Sequence, residues 1–182
     1  MARYSLHGGH NSIVQGANFG NRKEHVLDRQ VKDAVAAKLR SLGHTVYDDT
    51  DEVGATQSQN LNNIIRNSNS HAVDLVISFH LNASDGNGQG VEVLYYDQKD
   101  LAAKISAQLA KDIGWRDRGA KQRTDLAVLI SKQNHLSERW FCLSSYLWAV
   151  KFLSQNSDEA KKLSGNFTAR SLLLIIVSLY IV

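Results

Sequence analysis

Three residues of this chain have the chemistry to bind one metal ion together: His10, Glu24 and His80. Two imidazoles and a carboxylate suit Zn²⁺ and leave a fourth coordination position open for water, which is the arrangement of a catalytic rather than a structural site. The sequence has no HExxH motif, so the three ligands would have to converge from distant segments. The same donor set fits non-haem iron, but His10 has no acidic residue two positions later, which makes iron the weaker alternative.

Each of these residues also has a purely structural interpretation. His7 lies three residues before His10 and competes with it for the ligand role. Glu24 stands where a carboxylate in the first turn of a helix interacts favourably with the helix dipole. A single histidine at the end of a strand, such as His80, is often a hydrogen-bonded packing residue.

His80 lies in a strongly apolar segment of the chain, VDLVISFHLNAS, which runs from Val73 to Ser84. The branched side chains of this segment suit a strand that is buried on both faces. A glycine-rich stretch, DGNGQG, follows it. In open α/β sheets, ligands bind at the carboxyl ends of the strands because the loops there are free to carry chemistry. His80 therefore stands where a site can begin.

The other segments alternate between strand and helix patterns. A first strand around Tyr4 and Leu6 leads into the loop HGGHNS, whose glycines permit a tight turn that brings His7 and His10 close together. Apolar periodicity predicts a helix from Glu24 to Leu42, ended by Gly43, a second helix ending around Asn69, and a third from Leu101 to Ile113, ended by Gly114. Further strands are predicted at residues 44–47, 90–96 and 126–130, and residues 118–125, RGAKQRTD, are predicted to be a basic loop. This alternation predicts a single α/β domain with a mostly parallel sheet and helices on both faces.

Composition restricts the class of protein further. The 182 residues suffice for one domain with a real core. The net charge of +3 is too small to indicate a nucleic-acid partner, but it is compatible with an anionic surface such as a cell wall. The single cysteine, Cys142, excludes an internal disulfide framework and a cysteine-based metal motif.

Both ends of the chain bear on localisation. The first segment, MARYSLHGGHNS, lacks the charged-then-apolar pattern of a signal peptide. The apolar segment from Ser171 to Val182 is about half the roughly 20 residues that a membrane-spanning helix needs. We therefore expect a buried terminal segment, no membrane span, and synthesis in the cytoplasm.

Several segments, in order along the chain, carry a resemblance to a known family: HGGHN, EHVLDRQV, VDLVISFHLNAS, GVEVLYY, and RGAK followed by TDLAVL. Together they resemble the zinc-dependent N-acetylmuramoyl-L-alanine amidases of the amidase-3 type, above all the catalytic domains of bacteriophage endolysins. The resemblance covers roughly Arg3 to Leu129. It implies a twisted sheet flanked by helices, one Zn²⁺ ion, and hydrolysis of the amide bond between N-acetylmuramic acid and L-alanine in peptidoglycan. By motif position, His10, Glu24 and His80 correspond to the metal ligands of the family.

The resemblance also implies a second glutamate, which takes a proton from the attacking water and passes it to the leaving amine. Glu138, three residues before Phe141, is the candidate, although it arrives earlier than the family pattern requires and follows a divergent segment, ISKQNHLS. Further residues are predicted to bind the substrate, the basic ones by meeting carboxylates of the peptide stem: Asn82, Arg118, Lys121 and Arg123.

The departure from the family pattern after about residue 130 shapes the predicted domain organisation. Residues 1–170 form an amidase-like catalytic domain, and residues 171–182 form the apolar C-terminal segment. A frameshift or a comparable rearrangement after about Leu129 is our hypothesis for the change in composition. If it removed the general base, turnover would fall by about 10²- to 10⁴-fold.

The sequence thus predicts a monomeric peptidoglycan amidase with one Zn²⁺ ion, no nucleic-acid partner and no membrane span. It would reach the wall by holin-type or lysis-dependent release. The alternative is a catalytically impaired, zinc-containing module that binds the cell wall.

Overall fold

The computed structural model describes residues 1–19, 21–82, 90–130 and 139–146. The elements follow one another in the order β1 (Arg3–Gly8), β2 (Asn18–Phe19), β3 (Arg22–Lys23), α1 (Glu24–Ser41), β4 (Thr45–Asp48), α2 (Gln57–Ser68), β5 (Leu75–Asn82), β6 (Val91–Tyr95), α3 (Lys99–Ile113), β7 (Asp117–Gln122), α4 (Ala127–Ile130) and β8 (Arg139–Tyr146).

Six of these strands form one sheet in the order β4-β1-β5-β8-β6-β7. Every pair of neighbours in it is parallel except β6 and β8, which are antiparallel. The short strands β2 and β3 form a separate antiparallel hairpin just before α1. The α/β class and the mostly parallel sheet are confirmed.

Helices cover both faces of the sheet because β5 is apolar on both sides. Leu75, Ile77 and Phe79 lie in a core cluster with the buried faces of α1 and α3. Val76 points to the opposite face, where it packs in a second cluster with Ile64 of α2 and with residues of α4. Burying a large apolar side chain contributes roughly 1.5–3 kcal/mol, so the two clusters account for the near-continuous apolar pattern of this strand.

The helix ends follow local rules. The side chain of Thr56 accepts a hydrogen bond from the backbone N–H of Gln59 and so caps the first turn of α2. Gly114 ends α3 in the left-handed region with a φ of 72°, and Gly43 follows α1 with a φ of 84°. The glycines that the sequence marks as helix ends therefore do end α1 and α3.

Two predicted elements are wrong. Residues 118–125 were expected to be a loop, but β7 (Asp117–Gln122) pairs with β6 at the edge of the sheet. Edge strands are commonly polar and charged, which hides them from a search for apolar alternation. Residues 126–130 were expected to be a strand, but Ala127–Ile130 forms a short helix, α4. A run of five apolar residues does not distinguish a buried helix from a strand.

No helix within the described part of the chain is long and apolar enough to cross a membrane. Glu138 and the apolar segment at residues 171–182 lie outside the described residues.

Candidate metal centre

Three side chains meet at the carboxyl edge of the sheet: His10 from the loop after β1, Glu24 from the start of α1, and His80 near the end of β5. Their ligand atoms all lie within 4.8 Å of one another. Oε2 of Glu24 lies 3.5 Å from Nε2 of His10, and Oε1 lies 3.1 Å from Nδ1 of His80. Ligands held about 2.0–2.2 Å from a tetrahedral zinc ion lie roughly 3.4 Å from each other. The donor types and their spacing therefore fit one such ion.

Glu24 fixes this geometry through both of its carboxylate oxygens. Oε2 accepts a hydrogen bond from the backbone N–H of Ala17 at 2.7 Å, and Oε1 accepts one from Leu81 at 2.9 Å. The side chain thereby ties the loop before α1 to the end of β5. Burial alone would raise its pKa, but the hydrogen bond and charge of His80, with smaller contributions from His10 and Ala17, outweigh burial and lower it. Glu24 is therefore ionised at neutral pH.

Two glycines make room for the three side chains. A Cβ atom on Gly9 would lie 1.8 Å from Cε1 of His80, so the imidazole packs directly on the Gly9 backbone. Gly16 has a φ of +70°, and a Cβ there would lie 2.4 Å from Oε2 of Glu24. The sequence predicts a tight turn from the glycines of this loop, but the decisive property of Gly9 is close approach to His80.

Arg29 of α1 holds the loop that carries His10. Its Nη1 donates to the carbonyl oxygens of His10 at 2.5 Å and of His25 at 2.6 Å, while Nε and Nη2 donate to the carboxylate of Glu52. Burial lowers the pKa of His10, and the nearby charge of Glu24 opposes this only in part. A neutral imidazole is the form that binds a metal.

A buried polar network also holds the loop that carries His10. The Nδ2 amide of Asn11 donates to Oδ2 of Asp51 and to the carbonyl of Gly54, both at 2.9 Å. Asn60 of α2 donates to the carbonyl of Gly9 at 2.8 Å. Asn11 lies in the segment HGGHN that carries the resemblance, but the sequence gives no role to it, to Asp51 or to Asn60, because single polar residues carry no periodic signal.

His7 is not a member of the cluster. It lies within β1 and is fully buried, and burial together with the charge of His80 lowers its pKa to about 3. The one metal-binding cluster among the described residues is that of His10, Glu24 and His80.

Asp28 lies one turn after Glu24 on the same helix and is only 1% exposed. Neither of its carboxylate oxygens has a hydrogen-bond partner in the described part of the chain. The guanidinium of Arg29 approaches to 3.6 Å. Burial raises the pKa of Asp28 to about 7, against the opposing charge of Arg29. Asp28 lies within the segment EHVLDRQV that carries the family resemblance, but the sequence assigns it no role.

Of the predicted substrate-binding residues, two meet on a buried carboxylate. Nε of Arg118 and Nζ of Lys121 lie 3.1 Å and 2.7 Å from Oε2 of Glu92. Arg123 instead pairs with Asp125 on the surface. Asn82 ends β5, and its side chain lies outside the described residues. Sequence reasoning did not single out Glu92, although a charged residue inside the apolar run GVEVLYY was a signal.

The register of β8 bears on the predicted general base. Glu138 itself lies outside the described residues, but the next residue, Arg139, pairs with Leu75, five residues before His80. At about 3.3 Å per residue, that level of the sheet is roughly 16 Å from the level of His80. The strand places Ser144 beside His80. The role of Glu138 stays a prediction.

Known proteins share both the sequence pattern and the fold. Over 95 residues the chain is 32% identical to the N-acetylmuramoyl-L-alanine amidase LytC of Bacillus subtilis strain 168, a match that covers 48% of this chain and only 17% of LytC. The catalytic domain of the CD27L endolysin targeting Clostridium difficile is 25% identical with a TM-score of 0.76, and 98% of each chain is covered. The CwlD amidase from Clostridioides difficile, solved in complex with the GerS lipoprotein, is 20% identical with a TM-score of 0.78, again with 98% of each chain covered.

A family model gives the broadest match. It extends from residue 6 to residue 173 and so continues well past Leu129. The chain belongs to the Amidase_3 family of N-acetylmuramoyl-L-alanine amidases.

Proposed function

We propose that this protein hydrolyses the amide bond between N-acetylmuramic acid and L-alanine in peptidoglycan, with one Zn²⁺ ion bound by His10, Glu24 and His80. The observation that carries the proposal is the convergence of these side chains from three distant segments, at spacings that suit a tetrahedral ion. Family membership supports the reaction class. A bound zinc ion would supply Lewis-acid activation of water and of the scissile carbonyl.

The chain's own residues would orient that chemistry. Glu24, fixed by two backbone N–H groups, holds a negative charge between the two imidazoles. Gly9 and the Arg29 clamp keep the loop of His10 close to β5. Asn82, Arg118, Lys121 and Arg123 are the proposed substrate contacts, and Glu138 is the general base that the family pattern suggests.

Mass spectrometry of muropeptides tests the bond that is cut. Purified cell walls incubated with the protein should release free stem peptides that begin with L-alanine. New reducing ends on the sugar strands, without free stem peptides, would refute the proposal. The variant His80→Ala should be inactive, whereas His71→Ala, the same change at a histidine that pairs with Asp49 away from the cluster, should retain activity.

Metal analysis tests the ion separately. Protein purified without added metal should contain about one zinc per chain, lose activity with a chelator and regain it when zinc is returned. Iron at the same stoichiometry would instead support the non-haem iron alternative.

One observation favours a second candidate function, a zinc-containing wall-binding module with impaired turnover. On β8, the strand next to β5, the residue paired with His80 is Ser144, which has no carboxylate to act as a general base. Dye release from labelled walls separates the two functions. An enzyme releases dye and stops when chelated, whereas a binder sediments with the walls and releases dye under neither condition.

The place of action follows from the proposed substrate. Peptidoglycan lies outside the cytoplasmic membrane, so we propose action at the cell wall, and the likeness to an endolysin catalytic domain supports a lytic role. Release by a holin or by lysis, and a monomeric state, remain predictions; fractionation of expressing cells and light scattering would test them.

A further inference from the structure

A cationic cluster lies on β6 and β7, outside the candidate metal centre. Its centre is Glu92, which is 5% exposed. One oxygen of this carboxylate, Oε2, lies 3.1 Å from Nε of Arg118 and 2.7 Å from Nζ of Lys121. Two cations therefore meet on one buried carboxylate. We call Glu92, Arg118 and Lys121 the cationic cluster.

An irregularity in β7 is what allows both cations to reach Glu92. In a regular strand, residues three apart point to opposite faces. Between its pairing with Val91 and its pairing with Val93, β7 contains one extra residue, because Asp117 pairs with Val91 and Ala120 pairs with Val93. This β-bulge contains Gly119, whose φ of +79° favours glycine. The inserted residue turns Arg118 to the same face as Lys121, and re-aiming a side chain is a common role of bulges near functional sites.

The cationic cluster lies in the same row of the sheet as His80. His80 of β5 pairs with Ser144 of β8, and Ser144 pairs with Glu92 of β6. Residues paired in register point to the same face, so His80 and Glu92 share one face. They are two strand spacings apart, or roughly 10 Å. The metal centre and the cationic cluster therefore lie side by side along the carboxyl edge of β5.

We propose that the cationic cluster is a carboxylate-binding subsite for the second residue of the peptide stem. This inference rests on the proposed function, since the stem must enter at the metal centre. In peptidoglycan the second residue is D-glutamate linked through its γ-carboxyl group, which leaves the α-carboxylate free in some walls and amidated in others. Two extended residues span at most about 7 Å. When the distance from the ion to the scissile carbonyl is added, that carboxylate lies about 10 Å from the ion. This length is similar to the two strand spacings that separate His80 from Glu92.

Within this subsite the residues have different roles. Lys121 has a side chain that is 44% exposed and is the group that meets the carboxylate. Arg118, whose side chain is 24% exposed, adds positive charge from the same face. Glu92 is a positioning residue that holds both. Arg123 does not belong to the subsite, because its exposed pair with Asp125 is neutral overall.

The test compares two small substrates that differ in one charge: N-acetylmuramoyl-L-alanyl-D-glutamate and its D-isoglutamine counterpart. The expected kcat/KM is about tenfold higher for the acid, through KM, because a hydrogen bond to a charged group is worth about one such factor or more. Lys121→Met should remove this preference by lowering kcat/KM for the acid alone. Lys104→Met, the same change at an exposed lysine of α3, is the matched control and should leave the preference intact. An equal fall for both substrates in Lys121→Met, or no fall for either, would overturn the inference.

A binding measurement keeps this test independent of turnover. By calorimetry, the dipeptide L-alanyl-D-glutamate should bind about tenfold more tightly than its α-amide to the wild-type protein, and equally to Lys121→Met. If neither substrate is cleaved but the charge preference appears in binding, the proposed hydrolysis fails and the subsite stands. If both substrates are cleaved without any charge preference, the reverse holds.

Discussion

The first two turns of α1 carry two buried carboxylates in opposite states. Glu24 accepts hydrogen bonds from Ala17 and Leu81 and lies beside two imidazoles, and its pKa is lowered. Asp28, four residues later, has no hydrogen-bond partner in the described part of the chain, and burial raises its pKa to about 7. Equal burial therefore gives a fixed negative charge at one position and a carboxyl that holds its proton near neutral pH at the other. The backbone N–H groups that donate to Glu24 favour its ionised form, which is the form that attracts a cation.

The neighbouring glycines Gly8 and Gly9 also differ in how much room they leave for a side chain. A Cβ on Gly9 would lie 1.8 Å from the ring of His80, whereas a Cβ on Gly8 would lie 3.1 Å from Oδ1 of Asp28. The first contact is impossible, and the second needs only a small shift. The backbone is thus tightly packed against His80 and has slightly more room beside Asp28.

The largest expected effect is that of Glu24→Gln on metal binding. Zinc affinity should fall by more than about 100-fold, since even the partners of metal ligands typically account for 10- to 100-fold. The amide must also face either Ala17 or Leu81 with an N–H group. Competition with a chromophoric chelator measures the affinity. Asp28→Asn is the matched control and should stay within a few-fold of wild type; a comparable loss there would erase the contrast between the two turns.

The glycine pair gives the next effect. Gly9→Ala must displace the imidazole of His80 and should lower zinc affinity by at least about tenfold, on the scale of lost metal-ligand orientation. Gly8→Ala should change it by less than about threefold, because the neighbouring Asp28 is not a candidate ligand. Calorimetric titration with zinc compares the two variants. Equal losses in both would mean that backbone strain, not the His80 contact, sets the requirement for glycine.

Asp28 makes a pH-dependent contribution to stability. Folded Asp28 keeps its proton up to about pH 7, whereas the unfolded side chain loses it near 3.8. The folded state therefore binds more protons in that window, and stability falls as the pH rises through it. Asp28→Asn should stabilise the chelated protein by roughly 1–2 kcal/mol at pH 8, less than the full shift implies because a buried amide is also costly.

The gain from Asp28→Asn should be smaller at pH 5. Urea denaturation at the two pH values measures it, and Asp125→Asn, on the surface, should show no such trend. A gain of the same size at pH 5 and pH 8 would contradict the raised pKa.

The smallest effect concerns the hydrogen bonds that Arg29 donates to the exposed carboxylate of Glu52. Glu52 accepts from Nε and Nη2 of this arginine, but its side chain is 59% exposed. Exposed ion pairs contribute about 0–1 kcal/mol, so Glu52→Gln should lower the unfolding free energy by less than 1 kcal/mol and leave zinc affinity unchanged. A loss of zinc affinity would show that the hydrogen bond from Arg29 to the His10 carbonyl depends on the ion pair between Arg29 and Glu52.

Much of the fold follows from local pattern. The alternation of apolar strands and amphipathic helices predicts β1, β4, β5, β6 and the three helices from α1 to α3, because those elements bury one face or both through their own composition, but it does not predict the two-residue strands β2 and β3. Strand β7 was not predicted because it is stabilised by pairing with β6 and not by apolar content. Strand β8 escaped because RWFCLSSY has no period, and its position between β5 and β6 is set by contacts far along the chain.

The candidate site was predictable in part for the same reason. The motif resemblance predicts that His10, Glu24 and His80 bind one metal ion, and the structure places their ligand atoms within 4.8 Å of one another. The supporting residues Asp28 and Arg29 lie within EHVLDRQV, one of the segments that carry the resemblance, but the resemblance gives them no role. Arg29 and Asp28 are ordinary helix residues until their burial is known, and the bulge that turns Arg118 toward Glu92 depends on strand register. Register is a three-dimensional property that local spacing does not contain.

The place of β8 in the sheet has a consequence for synthesis. Its two neighbours, β5 and β6, leave the ribosome first, and roughly 50 further residues must be translated before β8 is complete. At about 5–20 residues per second, the nascent chain exposes two long apolar strand edges for several seconds. The part of the sheet that holds the histidines and the part that holds the cationic cluster join only when β8 inserts between β5 and β6. Chaperone capture during this interval should therefore govern the yield of soluble protein.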